Sequence, residues 1–528
     1  MSSINTGPSS QTRSQNSLNK HFERQSDEEA RLGNGLEPHA SENSSRVRPS
    51  RSGATNASDL PEINQELADS EDEDEFIRKF GDIEFQYIKP PKDSFWFIKP
   101  HALNYFKDGV LFRTKGERTS SRLELFLDLL YVGLIANLAS EATEDAGGLA
   151  LLKYVLFFFP IWTVWSDIKD FINYYYNEDL SQKLYIFWII CLLTLYVNSH
   201  YGVLESYSKA AVVIVPYMLC RLSLAVSLVV YSFHVPEHRV QQILFSASLL
   251  VTSLCWLAVI FVPVRVKIAL SFVFFALEQI CYIIAYHPWT KKLLQLNTST
   301  ALNIEHIVER YSTFVTIAIG EFLYKVVATG SLGVGFSAKY ARGVFLIADA
   351  YCLFWLYIYG GTSQRAVHPL RHSGWHAVTF IYTHLPLIAA LVLAADAGGD
   401  LCALDNTSTK KHSGTELHER AEELEEERNM YALAFFYGGG IGVSLFCMFI
   451  LGLIEKSRDE PGLFIIGQKA RIAWRLPIAI IIIMICFAEM NSTLLMGIVT
   501  MLLLILLVFE SFVATPRSSL FGLGRNNH

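Results

Sequence analysis

The sequence is short of charge. Asp, Glu, Lys and Arg make up 18% of its 528 residues, against about 25% in ordinary soluble chains. That deficit excludes a string of soluble domains with solvated polar faces. Paired cysteines are also missing. Seven of the eight (Cys191, Cys220, Cys255, Cys281, Cys352, Cys447 and Cys486) fall inside apolar blocks, and Cys402 stands alone in a loop. No CxxC pair or spaced His/Cys set occurs, so neither a disulfide framework nor a metal site is expected. Scattered apolar cysteines read as small core residues. The first 30 residues hold no apolar run, so no cleavable signal peptide is expected and insertion falls to a true spanning helix. Walker loops, GxSxG elbows and HExxH motifs are absent, so the chain is not expected to be an enzyme or to need a cofactor. Nothing points to nucleic acid.

What the sequence has is apolar length. Hydrophobic residues reach 51%, and from Leu123 onward they form blocks about 20 residues long. At 1.5 Å rise per residue, about 20 residues cross the ~30 Å hydrocarbon core of a bilayer. Twelve spans are expected, at 123–140, 149–166, 184–204, 210–232, 241–262 and 266–286, then 307–329, 342–362, 375–395, 430–454, 472–489 and 492–513. In lipid every backbone N–H must be satisfied internally, and continuous apolar runs favour helices over the alternating strands of a barrel. The expected fold is an all-α, polytopic membrane helix bundle of about 12 transmembrane helices, with the lipid bilayer as its partner.

Composition divides the chain further. Residues 1–75, rich in Ser, Asn, Glu and Arg, read as a disordered tail. Residues 76–122 mix aromatics with charges and read as an interfacial lead-in segment. The first transmembrane half is 123–286, a cytosolic linker covers 287–306, the second half is 307–513 with an acidic loop at 396–429, and 514–528 form the C-terminal tail. Much of the acid behind the net charge of −7 sits in the N-terminal tail and in Glu416 to Glu427.

Orientation follows from the Lys/Arg bias. Arg113, Lys115, Arg118 and Arg122 precede the first span, and the next loop has no basic residue. Both termini are therefore expected in the cytosol of a plasma or vacuolar/endomembrane protein. The sequon at Asn406 then lies on the opposite side as a glycan acceptor. A faint repeat is also present. Glu117-Arg118-Thr119-Ser120 recurs as Glu309-Arg310-Tyr311-Ser312, and Asp128-Leu129-Leu130-Tyr131 as Glu321-Phe322-Leu323-Tyr324, offset by 192 and 193 residues. Two six-helix parallel half-repeats would produce this.

A charge inside the hydrocarbon costs at least about 2.5 kcal/mol, so each demands a partner, water or a function. In the first span Glu124 and Asp128 are four residues apart, hence on one helix face. Such close carboxylates favour a shared proton or a cation between them, with Arg122 and Arg118 as neutralising charges. The bland alternative is a structural ion-pair network. In the seventh span, His306, Glu309, Arg310, Thr313, Thr316, Gly320 and Glu321 form a polar stripe. Gly320 is read as admitting a neighbouring backbone, Thr313 and Thr316 as bonding across helices, and Glu321 as protonated, paired with Lys325 or Arg310, or solvated by a cavity. Arg221, Glu278, Asp349, His384, Glu489 and Glu510 are further intramembrane candidates, with Arg221 and Glu278 as possible partners. Phe157 to Phe159 and Tyr174 to Tyr176 read as lipid-facing and interfacial side chains.

At these same two helices the sequence resembles a known family. Arg122-Leu-Glu-Leu-Phe-Leu-Asp128 is similar to the glutamate–aromatic–aspartate signature opening low temperature requirement A (LtrA) proteins, and His306 through Glu321 to the second signature, histidine, glutamate–arginine, then glycine–glutamate. The resemblance spans roughly residues 113–510, with the head and the acidic insert as a fungal-type elaboration, and it implies a multi-pass membrane protein with no agreed molecular activity. A weaker likeness exists to endolysosomal potassium channels built from two six-helix repeats. Arg122, Phe126 and Asp128 fit that motif, but Leu127 replaces its serine and Thr316 stands where the second repeat has aspartate. The leading expectation is an ion, proton or small-solute pathway using Glu124, Asp128, Glu309 and Glu321, with Arg122 and Arg310 as counter-charges. The alternative is a non-transporting scaffold or stress-response protein.

Overall fold

A computed structural model describes residues 85–88, 94–114, 118–200, 203, 207–328, 335–359, 366–404, 416–459, 462–488 and 490–517. The long helices are α1 (Arg122–Glu144), α2 (Gly148–Tyr175), α3 (Leu180–Ser199), α4 (Tyr207–His234), α5 (Arg239–Ile260) and α6 (Val264–Tyr286). After a short α7 (Pro288–Leu293) follow α8 (Ile304–Ala328), α9 (Ala338–Ile358), a one-turn α10 (Pro369–His372), α11 (Gly374–Ala403) and α12 (Glu416–Ile454). The chain ends through α13 (Gln468–Ile472), α14 (Arg475–Ile485) and α15 (Ser492–Val513). Among the described residues, 11 helices are long and apolar enough to cross a membrane. The span expected at 472–489 is built differently: α14 has 11 residues, too short for the hydrocarbon core by itself. It is lengthened by α13 and by turns at both ends, in which Ala473 N–H bonds the Lys469 carbonyl and Ala488 N–H the Ile485 carbonyl.

Polarity is distributed inside out. Phe187, Val226, Val251, Ile505 and Val508 are exposed on the outer faces of spans, while Glu124, Asp128, Arg221, Glu278 and Arg310 are buried. Water would reverse that arrangement, whereas hydrocarbon favours it. Neighbour relations recur between the two sets of helices. α1 packs on α2 and α3 as α8 packs on α9 and α11. The chains of contact α3–α4–α5–α6 and α11–α12–α14–α15 also match, as do α2–α6 and α9–α15. The sets meet where α1 packs against α8 and α11. α11 and α12 pack closely because Gly440 leaves room: a Cβ there would stand 2.7 Å from the Ala390 carbonyl and 2.8 Å from the Ala394 Cβ.

The lead-in segment folds as a small sheet in the order β1-β3-β2-β4, from β1 (Phe85–Ile88), β2 (Asn104–Lys107), β3 (Val110–Thr114) and β4 (Thr298–Thr300). Asp108 and Gly109, both at positive φ (51° and 92°), turn β2 into β3 as an Asp-Gly hairpin loop requires. Pairing of β2 with β4 ties the start of the first half to the linker before α8.

Candidate functional site: a buried charge network

Ser121 starts α1 with a capping box: its hydroxyl accepts from Glu124 N–H while Glu124 Oε1 accepts from Ser121 N–H at 3.3 Å. The same carboxylate receives Arg118 Nη2 at 3.4 Å, Arg310 Nη1 at 3.2 Å and His306 Nε2 at 2.6 Å. Asp128, one turn deeper, accepts Arg310 Nη2 at 2.7 Å and the Trp165 indole N–H at 2.8 Å, both on Oδ1. One guanidinium thus holds two carboxylates, the arrangement of a structural ion-pair network. Arg118 also donates to the Ile172 and Asn173 carbonyls at the end of α2, where helix carbonyls favour a cation. Burial pulls its guanidinium below the ordinary range, and Glu124 opposes that.

The His306 tautomer follows from its neighbours. Asn173 Oδ1 accepts from Asn303 N–H, so its Nδ2 donates to His306 Nδ1 at 3.0 Å. Nδ1 is then an acceptor, and Nε2–H faces Glu124. Two atoms are unsatisfied in this otherwise saturated cluster: Asp128 Oδ2 and Arg310 Nε are buried without hydrogen-bond partners.

A second cluster lies in mid-span. Arg221 pairs with Asp167 and stands 3.8 Å from Glu278. Glu278 also accepts from Tyr217 at 2.5 Å and Trp256 at 2.9 Å. Lys169 pairs with Asp170 at 3.1 Å and donates to Tyr311 at 3.0 Å, while Asp170 takes the Tyr282 hydroxyl at 2.6 Å. Asp167, Arg221 and Glu278 line a narrow cleft between α2, α4, α6 and α11, with room for about one water molecule. This arrangement corrects the span expected at 149–166, because α2 continues to Tyr175 with Asp167, Lys169 and Asp170 buried. Ending a span at its first charges misses charges that are neutralised across helices. The tyrosines are corrected too: Tyr174 and Tyr175 are buried, packing on His238, Tyr231 and Tyr286. In the Phe157 to Phe159 run, Phe158 is also buried.

The other expected residues separate. Arg122 is exposed and pairs with no carboxylate among the described residues; Arg118 takes that place. Glu309 is half-buried and accepts the Ser120 N–H at 3.0 Å, away from Asp128. Thr316 is exposed and bonds the Ser312 carbonyl of its own helix, so the stripe breaks there. Thr313 is half-buried. A Cβ on Gly320 would meet nothing within 4 Å, so no backbone approaches it. Glu321 sits near Lys325, but Lys325 pairs with Asp396, which also takes the Thr143 hydroxyl at 2.6 Å. One Glu321 oxygen is buried without a partner. Elsewhere Asp349 is held by Tyr437 and Thr500, His384 by Tyr357, and Glu510 by Arg475 through two 2.7 Å bonds. Asn406 and Glu489 lie outside the described residues. Among the described residues, no group of three or more His, Cys, Asp or Glu is arranged to hold a metal ion.

Apolar spans wrapped around buried, ion-paired charges define a multi-pass membrane protein. Residues 119–510 match the family described as bacterial low temperature requirement A protein (LtrA), and the chain belongs to that family. It is also similar to an uncharacterized protein of Rhizobium meliloti (strain 1021), 23% identical over 289 residues, covering 52% of this chain and 67% of the relative. No solved structure matches the chain.

Proposed function

We propose that the protein moves protons or a small cation across its membrane through the interior of the first helix set. The observation that carries this reading is the composition of the mid-span cluster: three carboxylates (Asp167, Asp170, Glu278) face two cations (Lys169, Arg221) beside a cleft of water size. An odd carboxylate in low dielectric takes up a proton or a cation rather than remain uncompensated. Asp128, with its one unpartnered oxygen, neighbours this cluster through Trp165, and a polar vestibule lined by Glu141, Glu144, Asp145, Lys153 and His200 supplies an opening at the far end of α1. Both termini sit in the cytosol on this reading, with α13 and α14 together completing a twelfth crossing.

The test is flux in liposomes. Purified protein reconstituted with an internal pH dye dissipates an imposed proton gradient, and Asp167→Asn or Glu278→Gln slows that at least tenfold while the variants elute as folded protein. Unchanged flux in both variants refutes the assignment.

A second reading, a non-transporting scaffold, is favoured by the balance at α1 and α8, where Arg118 and Arg310 match Glu124 and Asp128. On that reading the same substitutions lower thermal stability and no gradient dissipates even with wild-type protein.

A further inference from the structure

Away from the charges, the first helix set forms a partly open apolar cleft walled by α2 to α6. Along α2 it runs from Leu149 to Pro160, which at 1.5 Å per residue is about 16 Å, or half of the ~30 Å hydrocarbon thickness. Its depth is that of one lipid leaflet. The floor is aromatic, with Tyr217 edge-on to Trp256 at 5.3 Å and Trp256 against Phe275 at 4.9 Å. The polar tips of Tyr217 and Trp256 are both engaged by Glu278, so these rings offer carbon to the cleft.

The shallow end is cationic. Lys153, in the second turn of α2, and Lys267, in the first turn of α6, line the same cleft. Lys267 is 6% exposed, and its ammonium donates to the Val203 carbonyl at 3.1 Å. It makes no ion pair among the described residues. An ammonium carries three donors, and a buried cation without an anion is costly. Lys153 is within electrostatic reach of Glu141. Lys153 also lines the adjoining vestibule with Glu141, Glu144 and Asp145, which leaves Lys267, away from those carboxylates, as the main cation for an anionic head group.

We infer that this cleft binds one acyl chain of an anionic lipid, with its acidic head group on Lys153 and Lys267. The chain gains about 0.8 kcal/mol per buried methylene, and the acidic head adds charge-assisted acceptors to the single carbonyl that Lys267 meets among the described residues. Anionic phospholipids and free fatty acids share this chemistry, and the experiment separates them.

Full-length protein in detergent is exposed to phosphatidylglycerol, phosphatidylcholine with the same acyl chains, or oleate, and bound lipid is counted by native mass spectrometry. The expected result is one retained phosphatidylglycerol or oleate per protein, with whichever is held identifying the source, and no comparable phosphatidylcholine. The paired change Lys153→Gln with Lys267→Gln removes both charge-assisted contacts and weakens retention at least about tenfold. Ile214→Trp, which fills the cleft, removes retention with both lysines intact. Equal retention of phosphatidylcholine, no retained lipid, or wild-type retention of the anionic lipid by the double-lysine variant overturns the inference.

Discussion

Replacing Arg310 with methionine tests the network at its most connected point. Arg310 is fully buried and bonds Glu124 at 3.2 Å and Asp128 at 2.7 Å. The two carboxylates do not lose equally. Glu124 keeps Arg118, His306 and the Ser121 N–H, whereas Asp128 keeps only the Trp165 indole. Removing one partner of a buried pair costs about 3–5 kcal/mol, because the other charge stays behind. Most of that loss falls on Asp128. Adding Asp128→Asn to Arg310→Met therefore recovers about 2 kcal/mol or more, while adding Glu124→Gln recovers less. The measurement is urea unfolding in detergent micelles followed by near-ultraviolet circular dichroism, across the full double-mutant cycle. An Arg310→Met loss under about 1 kcal/mol, below the range for a broken buried pair, refutes the reasoning. So does better rescue by the Glu124 change than by the Asp128 change.

Two further predictions use the same unfolding assay. Gly440→Ala drives a Cβ to 2.7 Å from the Ala390 carbonyl, against backbone that cannot swing away, so it costs about 1–3 kcal/mol; Gly439→Ala, whose Cβ meets nothing within 4 Å, is neutral or stabilising. His238 lies between α4 and α5, fully buried with Nδ1 on the Tyr175 hydroxyl, and burial pushes it from 6.5 down to about 3. The unfolded chain thus binds a proton below pH 6.5 that the folded chain refuses until about pH 3. Stability is full above 6.5 and declines as pH falls, by about 2 kcal/mol between pH 7 and 5. His238→Gln removes that part of the slope, and an unchanged slope refutes the assignment.

The spans were legible because their signal is length and apolarity, which tertiary packing leaves untouched. α4, α5, α6 and α15 fall close to their expected ranges for that reason. The charged part of α2 was illegible for the opposite reason. Asp167, Lys169 and Asp170 resemble a loop until Arg221, Tyr311 and Tyr282 are brought to them, and those partners lie 54, 142 and 112 residues away. Glu124 and Asp128 were found from their four-residue spacing, yet the signature Ser121-x-x-Glu124, a capping box, was equally visible and explains half of what Glu124 does. Thr316 and Gly320 went astray because helical spacing defines a face about 140° wide here, and rotation against α1 and α11 decides how much of it is buried.

The two charge clusters have opposite requirements and share a wall. At α1 and α8 the cations match the carboxylates, and a balanced, buried pair resists change because breaking either partner strands the other. In mid-span the carboxylates outnumber the cations, an imbalance that the proposed function meets with one more positive charge. The wall between them is α2, with Trp165 turned to Asp128 and Asp167 turned to Arg221. Lys169 reaches Tyr311 on α8 while pairing with Asp170. On the proposed function, a proton or cation entering the mid-span cluster relaxes the demand on Lys169 and Arg221, and the α1–α8 anchor holds α2 in place while that happens. A fixed frame beside an exchangeable site would, on that proposal, let a charge move without dismantling the bundle. Neutralising Asp128 and neutralising Asp167 should therefore differ in kind: the first loosens the frame and lowers stability, and the second leaves the frame intact and removes the exchange.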